Sequence, residues 1–231
     1  MSQRPIIPAA LVALAATFAA PLSAEVVQTG ETGFTTRDAV VVKGTPFDAW
    51  QALIAPAKWW NKAHTWSGDS ANLYISPQAN GCFCELLPLP DGAPEEVRRG
   101  SALHMSVVMV DPGKVLRMRG GLGPLQSEPA DGVLTITLTG VDGGTRIVWE
   151  YVVGGPMRYE VPVIAKAVDG VMSQQLRGLA GVLGVAQPVP EEEPAEPTEP
   201  GPEAGDAPES GTAEPERPRV EDAFGDLDDG A

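Results

Sequence analysis

The alternation of apolar and polar positions divides the middle of the chain into short strands bracketed by two helices. The β-branched run Ala39-Val40-Val41-Val42, set between Gly33 and Gly44, predicts a strand over 34–42. A helix start follows it. Thr45 stands at the cap position, Pro46 at the first helical position and Asp48 at the third, where its carboxylate can answer the cap; Pro56 ends the helix. Phe47, Trp50 and Ile54 share one side of this helix, and 58–61, with Trp59 and Trp60, reads as a second short one. Strand-type runs then recur over 72–76, 81–87, 101–110, 114–119, 133–141 and 145–153, parted by turn sequences such as Asp111-Pro112-Gly113 and Asp142-Gly143-Gly144.

Alternation is cleanest in the last hairpin. Leu134, Ile136 and Leu138 oppose Thr135, Thr137 and Thr139, and Ile147, Trp149, Tyr151 and Val153 oppose Arg146 and Glu150. One face of such a sheet is covered and the other meets water. From Pro162 to Leu183, Ile164, Val168, Val171, Met172, Leu176, Leu179 and Val182 recur at helical spacing, with Gly184 as the stop. A helix of about 22 residues is roughly 33 Å long, long enough to cover a whole sheet. The order of elements therefore predicts an α+β fold: a curved antiparallel sheet of six to seven strands wrapped around a long C-terminal helix, with two short helices after the first strand.

Composition changes this picture at both ends. Residues 1–24 read as a secretory signal, with Arg4, an apolar stretch over 6–20 and Leu22-Ser23-Ala24 as a cleavage site. The apolar stretch is short for a membrane span, which needs about 20 residues, so no stable span is expected after cleavage and a periplasmic or secreted location is. The last 45 residues hold nine prolines and 15 of the chain's 31 acidic residues, against Arg217 and Arg219 alone. So polar a segment is expected to stay disordered; Phe224 and Leu227 within it are candidate anchors for a protein partner. Between these ends, residues 25–186 carry 13 basic and 16 acidic groups. No basic stripe is available to neutralise phosphates, so nucleic acid is not an expected partner.

The first strand running into Thr45-Pro46-Phe47-Asp48-Ala49-Trp50, the Lys58-Trp59-Trp60 turn, the strand opening at Gly81, the strand end Val110-Asp111-Pro112, the strand start Gly144-Thr145-Arg146 and the terminal helix together resemble the helix-grip superfamily. That superfamily (SRPBCC) includes START domains, the birch-pollen allergen and the polyketide cyclase/dehydrase and lipid-transport families. The Trp-Trp turn looks most like the heat-shock ATPase-activator homology group. The resemblance covers residues 34–184. It implies a cavity between sheet and helix, and a carrier, a cyclase, a hydroxylase component or a co-chaperone-like domain; a secretory leader argues against the last.

No nucleophile elbow, zinc helix motif or phosphate loop occurs in the sequence. His64, His104, Cys82 and Cys84 lack recognised ligand spacing, so neither a metal nor another cofactor is expected. Cys82 and Cys84 fall on one face of a strand with Cα atoms about 6.6–6.8 Å apart, at the upper edge of disulfide reach, and are expected as two free thiols in the core wall rather than a labile pair. Arg117 and Arg119 face water if Met118 points inward; in the opposite register one of them could hold a ligand carboxylate.

The expected function is therefore the binding of a small hydrophobic or amphipathic molecule. Its candidate contacts are Trp59, Trp60, Trp66, Tyr74, Met105, Met118, Trp149, Tyr151, Met172 and Leu176. Two alternatives stand beside it. In a cyclase or dehydratase, His104, Tyr151 or Glu85 would move a proton and would have to face the cavity near a partner. In an envelope adaptor, the tail would act alone.

Overall fold

In the computed structural model, which describes residues 25–94 and 96–186, the sequence alternation is realised as one antiparallel sheet. The leader expected over 1–24 and the acidic tail with Phe224 and Leu227 lie outside the described residues. β1 (Glu25–Thr29) folds back on β2 (Gly33–Val42). α1 (Pro46–Leu53) comes next, and its capping box forms as the sequence predicts: Asp48 N–H donates to Thr45 Oγ1 at 3.2 Å and Thr45 N–H to the Asp48 carboxylate at 2.9 Å. Its buried side is Ala49, Trp50 and Leu53, whereas Phe47 is exposed.

The second short helix expected after α1 takes the form of single 3-10 turns, Pro56–Lys58 and Lys62–His64. They do not merge into a regular helix, and the two indoles lock the turn between them. Trp59 Nε1–H donates to Ala52 O at 2.9 Å and Trp60 Nε1–H to His64 O at 3.0 Å.

Six strands follow: β3 (Leu73–Ile75), β4 (Cys82–Leu87), β5 (Gly100–Asp111), β6 (Val115–Arg119), β7 (Asp131–Val141) and β8 (Gly144–Gly154). Their order in the sheet is β1-β2-β8-β7-β6-β5-β4-β3, with every pairing antiparallel. Met118 is buried and Arg117 and Arg119 are exposed, which settles the register of β6 in favour of the arginines meeting water.

α2 (Val161–Leu183) closes the domain, burying Ile164, Val168, Met172, Leu176 and Leu179. Val182, on the same expected stripe, is exposed. Past Gly184 the chain returns to β2, where Ala186 N–H donates to Val41 O at 3.0 Å and Lys43 N–H to Gly184 O at 2.9 Å. α2 is tied to the tryptophan turn in two ways. Asn61 N–H donates to Gln175 Oε1 at 2.8 Å, and Gly178 lies so close that any Cβ there would run into the Trp59 carbonyl.

Candidate functional site

The inner face of the sheet is largely filled by its own side chains. Trp59, Met105, Met118, Trp149, Tyr151 and Leu176 are all buried in this packed core, and none of them reaches the lining of the cavity. Open space lies toward one end, beneath the N-terminal half of α2. It is a cavity of about 370 Å³. Trp60 and the segment Ala63 to Trp66 form one wall, Leu122, Gly123 and Pro124 of the β6–β7 loop another, and Ile164, Val168, Val171 and Met172 the roof. His104 closes it from β5.

Of the residues nominated from the sequence, Trp60, Trp66, Met172 and His104 therefore meet at the cavity, and Trp66 stays 57% exposed at its mouth. Tyr74 is 40% exposed on the short edge strand β3. Leu122, Gly123 and Pro124 of the loop and Ile164, Val168 and Val171 of α2 were not among those candidates, because no composition signal sets them apart as contacts.

His104 owes its position to a β-bulge. Phe83 pairs with Met105 and Cys84 with Leu103, so β5 has one residue more than β4 at this point, and His104 is that residue. Strict alternation would send His104 outward if Met105 points in; with the bulge both are buried, His104 at 4% exposure. Phe83 stacks on the imidazole at 4.9 Å between centroids, and Trp60 meets Phe83 edge-on at 5.0 Å.

The two free thiols expected beside it are instead a Cys82–Cys84 disulfide. Their Cα atoms are 5.5 Å apart, closer than two full strand rises, where the register shifts.

The polar partners of His104 determine its protonation. Its Nε2 lies 2.9 Å from Glu85 Oε2, and its Nδ1 lies 3.2 Å from Gln126 Nε2. Gln126 sits on the 3-10 turn Gly123–Ser127, and its amide orientation is dictated by two other neighbours. Trp66 Nε1–H, which can only donate, is 3.1 Å from Oε1; Leu103 O, which can only accept, is 3.2 Å from Nε2. The amide must then donate to His104 Nδ1, and that nitrogen carries no proton. His104 is a neutral imidazole whose Nε2–H points at a carboxylate.

Burial acts in the same direction. It pushes the His104 pKa below its ordinary value, although the hydrogen bond and charge of Glu85 pull the other way. Glu85 itself is fully buried. Burial opposes its charge, yet hydrogen bonds from Ser67, Trp66 and His104 outweigh it and hold the carboxyl below its ordinary value.

A pH dependence follows. Below the ordinary histidine value of 6.5, the unfolded chain takes up a proton at residue 104 that the native chain refuses. Stability therefore falls as pH drops through that window, by up to about 1.4 kcal/mol per pH unit. Glu85 adds a second loss below 4.5, where the unfolded carboxyl protonates before the folded one. Urea midpoints measured across this range should show both falls, and His104→Gln should remove the upper one. A wild-type midpoint that is flat down to about pH 5 would contradict the neutral buried imidazole.

Tyr151, the third proton-transfer candidate, has a different task. Its hydroxyl donates to Gly120 O at 2.8 Å and accepts from Leu122 N–H at 3.1 Å. It thus anchors the start of the loop that walls the cavity. Burial raises its pKa far above the ordinary phenol value, so it stays protonated at neutral pH. The far end of that loop is clamped by Glu128, which accepts from Arg158 Nη2 at 2.6 Å and from Arg158 N–H at 2.8 Å.

A curved antiparallel sheet gripping one long helix, with an apolar cavity under that helix, defines a helix-grip protein of the SRPBCC, START-like class. The chain belongs to the polyketide cyclase/dehydrase and lipid-transport family, whose model matches residues 33–184. Membership fits a hydrophobic ligand-binding or cyclase role.

Among solved structures, the chain is similar to an uncharacterised protein from Rhizobium leguminosarum (16% identity over 70% of this chain and 96% of that one, TM-score 0.48). It is also similar to a protein from Rhodobacter sphaeroides (20% identity, 70% and 97%, TM-score 0.42). A third is the di-domain ARO/CYC StfQ of the steffimycin biosynthetic pathway (15% identity, 66% and 52%, TM-score 0.46). No curated protein matches the chain.

Proposed function

We propose that this domain is a periplasmic or secreted binding protein that holds a small hydrophobic or amphipathic molecule beneath the N-terminal half of α2. The observation that carries the reading is the cavity of about 370 Å³, lined mainly by aliphatic and aromatic side chains. Small-molecule sites commonly span about 300–1,000 Å³, and an apolar cavity of about 150 Å³ already takes benzene. A ligand of two or three fused rings, or a branched chain of similar bulk, matches the space. The compartment is supported by the leader-like sequence over 1–24 and by the Cys82–Cys84 disulfide, since such bonds persist where the surroundings are oxidising.

A second reading, a cyclase or dehydratase, is favoured by one observation. His104 lines the cavity with the Glu85 carboxylate behind it, the arrangement a general base requires.

Native mass spectrometry of the purified full chain, with solvent extraction of whatever it carries, tests both. A co-purifying organic molecule that is recovered unchanged after re-addition supports the carrier, and one returned altered supports the enzyme. A chain that carries nothing and takes up no apolar fluorescent probe excludes both.

A further inference from the structure

The hydrogen-bonding groups of the cavity wall are unequally committed. The side-chain donors are already in use: Trp60 Nε1–H to His64 O, Trp66 Nε1–H to Gln126 Oε1, Thr65 Oγ1–H to Lys62 O at 2.8 Å, and His104 Nε2–H to Glu85. His64 Nε2 lies 2.8 Å from Gln174 Oε1, so that nitrogen is committed to the amide oxygen. What the wall retains is lone pairs. Among the described residues that line the cavity there is no lysine, arginine, aspartate or glutamate, and the Glu85 anion stands behind His104. A buried ligand carboxylate would find no cation and no free side-chain donor, and it would meet an anion of its own sign.

We infer that the ligand is a neutral hydroxyl compound, an alcohol or phenol on an apolar body, whose O–H donates to His104 Nδ1 in place of Gln126. This rests on the carrier reading of the same cavity and adds the chemistry of the occupant. Three features single out Nδ1 as the acceptor, although Gln126 donates to it in this structure. The imidazole is oriented by Glu85 on its far side, which strengthens it as an acceptor. It is buried and stacked on Phe83, so its direction is set before the ligand arrives. Its present partner is an amide 3.2 Å away on a half-buried turn, with two other hydrogen bonds to keep it in place when displaced. Gln126 thus occupies the donor position until a hydroxyl takes it.

The test uses the full chain and three probes of one shape: β-naphthol, its methyl ether and β-naphthoate, titrated at neutral pH by calorimetry. The hydroxyl should bind roughly tenfold more tightly than the ether, the worth of one buried hydrogen bond, and at least about a hundredfold more tightly than the carboxylate. Gln126→Ala should tighten naphthol and leave the ether unchanged, and His104→Phe should bring naphthol down to the ether. Gln126 lies on a half-buried turn, so its variant keeps the test open even if His104→Phe does not fold. Equal binding of naphthol and ether in the parent protein overturns this inference while leaving the carrier reading intact, as does naphthoate binding as tightly as naphthol. If none of the three binds, the carrier reading falls and takes the inference with it.

Discussion

Replacing Glu85 with alanine should lower the unfolding free energy by about 3–5 kcal/mol, through stranded hydrogen-bond donors and the void left behind. The carboxylate is fully buried and accepts from three directions: His104 Nε2 at 2.9 Å, Trp66 N–H at 3.0 Å and Ser67 N–H. Alanine leaves the buried His104 Nε2–H and the half-buried Trp66 and Ser67 amides without that acceptor, at about 1–3 kcal/mol for each that water cannot reach, and it opens a void as well. Glu85→Gln keeps the volume and one oxygen, so its loss should be smaller, although its amide N–H₂ must face a donor. Urea denaturation reads both, with the exposed Glu31→Ala as a control expected within about 0.5 kcal/mol of the parent. A loss below about 1 kcal/mol for Glu85→Ala would mean that the Trp66–Ser67 turn does not rest on this carboxylate. The same variant should loosen the mouth of the cavity, because Trp66 and Ser67 are held there by it.

Much of the architecture is legible in the residues because it depends on short-range periodicity. Thr45 and Asp48 announce the start of α1, and the alternation in 133–153 announces the β7–β8 hairpin, because in each case the deciding contact is a few residues away. β1 is not announced. Its sequence EVVQT holds only two adjacent apolar residues, and it becomes a strand by pairing with β2. The site was legible in type and displaced in place. Trp149, Met105 and Met118 all point inward, but alternation says which face a residue takes and not whether the space above it is already filled.

His104 shows a second limit. One extra residue in β5 turns His104 inward beside Met105 and makes it the polar end of the cavity, and a bulge leaves no mark in hydrophobicity. Gln126 carried no signal whatever. Its importance comes from three neighbours, Leu103, His104 and Trp66, that the fold brings to one amide.

The displacement of the cavity leads to the second large effect, which separates the site from the packed core. Val171→Trp should weaken ligand or probe binding by at least about a hundredfold with little change in stability, while Met118→Leu should leave binding unchanged. Val171 is half-buried on the roof of the cavity, so an indole there has open volume to enter and fills the space the ligand needs. The overpacking cost of about 1–3 kcal/mol that attends such a change in a filled core is largely avoided, because the void receives the ring. Met118 points inward from β6 at 2% exposure but packs against neighbouring side chains away from the lining. Exchanging it for leucine conserves volume and should cost less than about 1.5 kcal/mol. Dissociation constants for one apolar probe, measured beside urea midpoints for both variants, decide the matter. Binding that survives Val171→Trp and fails with Met118→Leu would move the ligand to the centre of the sheet, where Trp149 and Tyr151 now pack. In that case those aromatic side chains would have to rearrange to admit it, and their packed arrangement would be the unliganded state alone.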